Sequence, residues 1–307
     1  NRVLWFILLV LGTLSAFLIN DTVALVATPI VLGIAKQMRV KPAPLLITLA
    51  FGITIGSVMT PIGNPQNLLI SLSSGIEYPF LTFLSVPCSS NACMHWRNIS
   101  HSKTDIQKEL TRATASQLVA TKDLITDYRL AKTSSIITLV VIAGFFAVGF
   151  VKAFGVQTSL NFSHIALVGG LVLFAAGTKR KEILYGINWQ IIVFFTSMFV
   201  FMGGLWYGGT IELFSSALPH LDRQDPSSVL NIVLTSVGLS QLMSNVPFVS
   251  IYLPILHNLG YSSPDTLAWM ALAGASTLAG NLTILGAASN VIILEAAEKE
   301  KKRHSHS

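Results

Sequence analysis

The most constraining feature of this 307-residue chain is a polar break that occurs twice inside apolar sequence. Thr60-Pro-Ile-Gly-Asn-Pro-Gln-Asn67 and Thr283-Ile-Leu-Gly-Ala-Ala-Ser-Asn290 share the pattern T-x-x-G-x-x-x-N. Each runs on into three aliphatic residues, Leu68-Leu-Ile70 and Val291-Ile-Ile293. A pair of polar tips precedes the breaks at nearly equal spacing, Asn20-Asp21-Thr22 before the first and Ser244-Asn245-Val246 before the second. In both, a proline follows the tip asparagine at the same distance, Pro29 and Pro254. Two copies of one polar pattern in hydrocarbon-soluble sequence are the signature of a membrane protein built from structural repeats.

Composition agrees. The chain is 52% hydrophobic and only 11% charged, with a mean hydropathy of +0.64, where a soluble domain carries roughly 25% charged residues. Several apolar runs approach the roughly 20 residues that cross a bilayer. Cys88 and Cys93 stand in a polar stretch with no metal-ligand pattern around them and make no disulfide framework. Arg2 precedes an apolar run that ends in Asn-Asp rather than in a cleavage site, so no secretory signal is expected. The chain opens almost directly on the first tip, which reads as a fragment beginning mid-protein.

Taken in order, residues 1–75 form a first repeat core, with a hairpin over 1–38 and a broken helix over 43–75. Neither arm of the hairpin need cross alone, so it reads as re-entrant; such backbone survives at depth only when buried in protein or lining a wet cavity. Pro61 and Pro65 cannot donate backbone hydrogen bonds and Gly63 relaxes the chain, which places the helix break between them. Residues 76–133 are an eroded span (78–96) and a polar loop in which 104–129 could lie as a surface helix. Three spans follow within 134–206. A second repeat core covers 207–297, with a hairpin over 229–259 and a broken helix over 266–297, and residues 298–307 are a charged tail expected to be disordered. Trp5, Trp189, Trp206 and Trp269 fall near span ends, as in an aromatic belt. Placing loop 36–41 in the cytoplasm puts all of the 20 basic residues except Lys152 and Arg223 on that side, with loop 97–133 and the tail. One topology thus absorbs the net charge of +6 without a nucleic-acid partner, and makes the two hairpins enter from opposite faces.

A broken helix exposes unpaired N–H groups on one half and unpaired C=O groups on the other. The first suit an anion, the second a cation. Asn20, Thr22, Thr60, Asn64 and Asn67 supply neutral polar groups in one repeat, and Ser244, Asn245, Thr283, Ser289 and Asn290 in the other. Gly63 and Gly286 allow close backbone approach. A sodium site is expected from Asn20, Asn64, Asn245 and Asn290. The plainer alternative, that these residues only cap helices and cement packing, explains any one of them but gives no reason for two matched breaks. Asp21 is the one acid expected at membrane depth, where it is a candidate coupling site by default or a cap on the second arm. The second repeat has Val246 there. No paired carboxylates, His-x-x-x-His pattern or nucleotide loop occurs in the spans, so no enzyme is expected. The pairs Gly203-Gly204 and Gly208-Gly209 read as close helix approach or a loose turn rather than a phosphate cradle.

The runs Leu14-Ser-Ala-Phe-Leu-Ile-Asn-Asp-Thr-Val-Ala-Leu-Val-Ala-Thr-Pro29 and Gly280-Asn-Leu-Thr-Ile-Leu-Gly-Ala-Ala-Ser-Asn-Val-Ile293 resemble the ion transporter superfamily. That group holds arsenite permeases, sodium/proton antiporters, citrate-transporter-like permeases and divalent anion/sodium symporters. The resemblance covers 1–75 and 134–297. It implies an all-α membrane fold of inverted-topology repeats, with two re-entrant hairpins and two broken transmembrane helices around a central site. It also implies ion-coupled anion transport in the plasma membrane, as a homodimer. The tips then fall on Asn20-Asp21-Thr22 and Ser244-Asn245, and the breaks on Thr60, Gly63, Asn64, Pro65, Asn67 and on Asn281, Thr283, Gly286, Ser289, Asn290. The Asn-Asp tip is similar to the arsenite and antiporter branches. The scaffold helices that the family carries before the first hairpin are missing here.

The expected function is therefore secondary transport of a small inorganic or carboxylate anion or oxyanion, coupled to sodium or protons, with no other cofactor. The alternatives are a sodium/proton antiporter using Asp21 and a truncated, non-transporting fragment.

Overall fold

The computed structural model describes residues 2–89, 128–154, 160, 162–177, 180–187, 189–209, 218–219 and 221–305. The expected surface helix at 104–129, the end of the eroded span and Cys93 lie almost wholly outside the described residues. All regular structure among the described residues is helical. The chain divides into two compact units, Asn1–Gln117 with Gly209–Ser307, and Leu118–Gly208.

The first unit holds both tips and both breaks. Its chain begins with α1 (Arg2–Trp5), a π-helical turn (Phe6–Leu11) and α2 (Gly12–Phe17). After Leu18 and Ile19 it reverses into α3 (Asn20–Met38). Arg39, in the left-handed region at φ 53°, ends α3. Then α4 (Pro42–Ser57) and α5 (Pro65–Ser73) flank the first break, and α6 (Pro79–Ser89) follows. The second half repeats this order: α11 (Ser227–Met243), α12 (Asn245–Asn258), α13 (Thr266–Ala279), a 3₁₀ turn at Ile284–Gly286 and α14 (Ala288–Ser305). The other unit holds α7 (Tyr128–Ala153), α8 (Phe162–Ala176), α9 (Arg180–Gly186) and α10 (Trp189–Tyr207), with α7 packed along α8. Of the described helices, α3 and α7 are long and apolar enough to cross a bilayer on length and composition.

Packing in the first unit is reciprocal. Within each half the hairpin's first arm lies on the helix before the break, α2 on α4 and α11 on α13. Across the halves, the helix after each break packs on the other half's second arm, α5 on α12 and α14 on α3. The best-buried apolar cluster joins Ile7, Leu11, Val23, Ala24, Val31, Leu45, Leu49 and Ile53 to Ile293, so it too draws on both halves. Between apolar helices in lipid such contacts act through close van der Waals fit rather than transfer from water.

Several expectations need correction. The tip residues Asn20-Asp21-Thr22 do not interrupt the hairpin; they are the first turn of α3, where Asn20 Oδ1 accepts the Asp21 N–H at 2.9 Å. The second tip is Ser244 alone, at φ 67°, with α12 starting on Asn245. The tail is helical through Ser305 rather than disordered, since nothing in Glu295–Arg303 breaks α14 and Lys299 stands one turn after Glu295, 4.0 Å from its carboxylate. Trp269 is fully buried, not interfacial: its Nε1 donates to the Ser262 carbonyl at 2.9 Å and its ring packs on His257 and Tyr261. Gly203 and Gly204 sit inside α10, and a Cβ on either would meet nothing within 4 Å among the described residues.

At the base of the second hairpin an open surface cavity of about 590 Å³ is lined by Asp222, Arg223, Gly260 and Asp265, and by none of the break residues. Arg223 Nε donates to the Asp265 carboxylate at 2.9 Å, and the Ser262 N–H donates to the same group at 2.7 Å. Partial burial pushes the Asp265 carboxyl up, but the hydrogen bonds from Arg223 and Ser262 and the guanidinium charge outweigh it, so the group lies below its ordinary range. A depressed carboxylate stabilises the fold above its unfolded value and loses that contribution as pH falls through its folded value. Because the pair is solvent-screened, Arg223→Ala is expected to cost at most about 1 kcal/mol. Thermal melts should show that difference at neutral pH and its closure in acid.

Candidate functional site

The first break is held by its own side chains. Asn64 caps α5: its Oδ1 accepts the Asn67 N–H at 2.9 Å, and Pro65 fills the first helical position, where a missing N–H costs nothing. Asn67, fully buried, turns its Nδ2 back onto the frayed end of α4 and donates to the Ser57 carbonyl at 3.1 Å and the Thr60 carbonyl at 3.3 Å. Gly63 is required here, because a Cβ would overlap the Ser57 backbone. The tip is tied in as well: the Asn20 N–H donates to the Gly63 carbonyl at 2.9 Å, and the Thr60 hydroxyl donates to the Ala16 carbonyl.

The second break repeats this with different parts. Asn290 Nδ2 donates to the Gly280 carbonyl at 2.7 Å and the Thr283 carbonyl at 3.3 Å, ten and seven residues back as for Asn67. Gly286 is again pressed on backbone: a Cβ there would stand 3.1 Å from the Gly280 Cα and 2.9 Å from Gln241 Oε1. Thr283 donates to Gln241 Oε1 at 2.8 Å, and Gln241 Nε2 donates to the Ala279 carbonyl at 2.6 Å, so one amide straps the hairpin to the break. The residue before α14 is Ala287, which has no side-chain oxygen to cap the helix as Asn64 caps α5. Asn245, at the tip, is buried and lies beside Gly280: its Nδ2 is 3.2 Å from where a Gly280 Cβ would be.

The two breaks meet at one hydroxyl. Thr277, near the end of α13 and 1% exposed, accepts from Asn64 Nδ2 at 3.2 Å and from Gln66 Nε2 at 3.4 Å, and donates to Asn67 Oδ1 at 3.3 Å. That uses its one donor and both lone pairs. The structure thus brings Asn64 and Asn67 of one half directly onto the other half's broken helix.

Of the expected residues, Asn20, Gly63, Asn64, Thr60 and Asn67 form one connected cluster, and Asn245, Thr283, Gly286 and Asn290 another, with Ser289 fully buried beside it. Asp21 is half-buried in the first turn of α3, where the helix N-terminus suits a carboxylate, and Thr22 is exposed. Ser244 is half-buried and contributes the reversal in backbone direction. Ser57, Gln66, Gln241 and Thr277 were not expected. Thr277 had a signal: Thr54 and Thr277 stand at matched positions, so the repeat extends leftward to T-x-x-x-x-x-T-x-x-G-x-x-x-N.

A model of the citrate transporter family matches residues 1–279. The chain belongs to the citrate transporter family. This family member is 27% identical, over 97% of its own length and 70% of the relative's, to an uncharacterised transporter of Mycobacterium tuberculosis. It is 27% identical to the silicon efflux transporter LSI3 of Oryza sativa subsp. japonica, over 93% of this chain and 69% of that one. The P protein of Mus musculus matches at 24% identity over 95% of this chain and 44% of its own. The resemblance to the ion transporter superfamily is thereby shown, and with it an integral membrane protein of a transporter family.

Proposed function

We infer that this chain forms the transport core of an ion-coupled secondary transporter for a small anion or oxyanion, working by alternating access at the two breaks. The observation that carries the reading is the reciprocal joint: Asn67 and Asn290 hold equivalent carbonyl pairs, and the first break reaches across to Thr277 of the second. A structure that only needed rigid packing has no use for two broken helices whose frayed ends face each other. The uncapped start of α14 offers N–H groups to an anion, and the neighbouring side-chain oxygens offer a cation a place beside it. The halves are read as inverted-topology repeats in the plasma membrane, with re-entrant hairpins as the moving parts and a homodimer as the assembly. The family is named for citrate and one relative for silicon efflux, so the substrate class stays at small anions or oxyanions.

The test is uptake and efflux of citrate, arsenite and silicic acid by the protein in proteoliposomes, with imposed sodium or proton gradients. Asn67→Ala and Asn290→Ala should each abolish transport while the protein still inserts. Normal transport by both variants would remove the site. Exchange of sodium for protons with no anion moved, lost in Asp21→Asn, would replace this reading with antiport through Asp21, which stands at the tip of the first hairpin.

A further inference from the structure

The repeat supplies an internal control, because each fastening between a hairpin and its broken helix in one half has a matched position in the other. In the first half the fastenings run to backbone. Ser15 Oγ donates to the Ile53 carbonyl at 2.6 Å, the Thr60 hydroxyl donates to the Ala16 carbonyl, and the Asn20 N–H donates to the Gly63 carbonyl at 2.9 Å. Gly12 and Gly56 bring α2 so close to α4 that a Cβ on either would press on the other helix's backbone. Parting the first hairpin from its helix means breaking all of these bonds and a packed seam together.

The second half has less to hold it. Val237, Ala275 and Ala279 stand where Gly12, Gly52 and Gly56 stand in the first. The glycines that α11 and α13 do carry, Gly238 and Gly274, would meet nothing within 4 Å at a Cβ among the described residues. Ser240, matched to Ser15, is buried with its hydroxyl unpartnered. Gln241 stands where Ala16 stands, and a side-chain amide takes over from backbone: its Oε1 accepts from Thr283 at 2.8 Å and its Nε2 donates to the Ala279 carbonyl at 2.6 Å. The base is fixed separately, where Arg223 ahead of α11 bonds Asp265 and Ser262 ahead of α13. The second hairpin is therefore fixed at its base and strapped near its tip by one side chain. A rotamer change of that side chain releases both bonds without moving any backbone. It strands nothing, because the Ala279 carbonyl also accepts the Leu282 N–H at 3.0 Å and Thr283 is exposed. The break loop beside it is open as well, with Leu282 65% and Ile284 56% exposed, whereas Thr60, Gly63 and Asn64 are buried.

We propose that Gln241 is the latch of a gate: the second hairpin lifts from its break at the tip to admit and release the solute, while the first hairpin stays seated and moves only with α4. This deepens the transport reading, rests on it for its purpose, and narrows the part that opens to one hairpin of the two. Gln241 is a positioning residue in this scheme, acting through Thr283 and the end of α13. Closing the latch over a bound solute contributes to the solute's affinity, since a ligand that favours the closed arrangement shifts the population toward it.

The experiment is hydrogen–deuterium exchange of the full chain in lipid nanodiscs, with and without citrate, arsenite or silicic acid, beside flux of the same three solutes in proteoliposomes. Amides in the first two turns of α12 should exchange about tenfold faster than those of α3, corrected for intrinsic rates. Burial alone predicts otherwise, since Phe248 through Tyr252 are all buried, whereas Thr22, Leu25 and Val26 of α3 are exposed. Gln241→Ala should speed exchange in α12 by about another tenfold, leave α3 unchanged, lower the melting temperature only slightly, and raise the half-saturation concentration for flux about tenfold. A saturating concentration of the solute that is carried should slow exchange at the α12 tip in wild type and much less in Gln241→Ala; a merely structural loss would leave that protection intact. Ser15→Ala, which deletes a made bond in the first half, should lower the melting temperature with α12 exchange and half-saturation unchanged. Equal exchange at the two tips, or faster exchange at both in Gln241→Ala, overturns the gate. Unchanged exchange in Gln241→Ala overturns the latch. A second tip that opens as expected with none of the three solutes moved leaves the gate standing and removes the transport reading; flux that Asn67→Ala abolishes, with both tips exchanging alike, does the reverse.

Discussion

Thr277→Val should insert and fold, lose measurable stability, and transport nothing. The hydroxyl it deletes joins the two broken helices, bonded at once to Asn64, Gln66 and Asn67. Valine keeps the shape but not the chemistry, a swap the interior does not treat as conservative. Asn67 Oδ1, on a residue with no exposed surface, is then buried without a donor, and one such group costs about 1–3 kcal/mol. The two donors from Asn64 and Gln66 lose an acceptor as well, although Asn64 Nδ2 keeps the Ser57 hydroxyl at 3.2 Å. The loss of transport follows from position rather than stability: the amides that hold the end of α4 would no longer be fixed relative to α13. Thr277→Ser restores the hydroxyl and should restore both readouts, measured by thermal melts in detergent and by flux into proteoliposomes. A Thr277→Val, Asn67→Ala cycle should show strong coupling, because each variant removes the same bond. Full activity and wild-type stability in Thr277→Val would mean that the halves are not joined here.

What the sequence revealed depended on how local the signal was. The breaks were legible because Pro61, Gly63 and Pro65 forbid a helix wherever they fall, and the second copy because T-x-x-G-x-x-x-N can be matched by eye. The three long helices of the second unit fall on the apolar sequence expected over 134–206, although the first begins six residues earlier, at Tyr128. Trp269 was misread because a tryptophan near a span end has the same sequence signature whether it faces headgroups or a buried carbonyl. The first reversal lies at Leu18-Ile19, just ahead of the expected Asn20-Asp21-Thr22, since asparagine is equally at home in a reversal and at the head of a helix. Thr277 and Gln241 were missed because their partners are distant in the chain, 213 residues for Asn64 and 42 for Thr283. Periodicity carries no information about such pairs; only the closing of one half on the other creates them.

Gly56→Ala should prevent folding, and it makes the sharpest test of the first half because a single methyl group is involved. The first arm and α4 approach so closely that a Cβ on Gly12 would stand 2.9 Å from the Gly52 carbonyl, and one on Gly56 would overlap the carbonyl of Gly12. Neither obstacle is a side chain that can rotate away; each is backbone inside a helix. Small residues four apart let helices approach this far, as at Gly52 and Gly56, and in lipid the resulting dispersion contact is the main attraction between them. Admitting the methyl group means moving α2 off α4. That also breaks the Ser15 hydroxyl to Ile53 carbonyl bond and pulls Ala16 from the Thr60 hydroxyl, so the tip would part from the break. Loss on this scale exceeds the 4–5 kcal/mol that marks an exceptional substitution, at order of magnitude. The comparison is Gly33→Ala in α3, where a Cβ meets nothing within 4 Å and the exposed helical site should gain about 1 kcal/mol from reduced backbone freedom in the unfolded chain. Yield of monodisperse protein and melting temperature should fall sharply for the first variant and rise for the second. A well-folded, active Gly56→Ala would show that the first hairpin does not rest on α4 at these glycines.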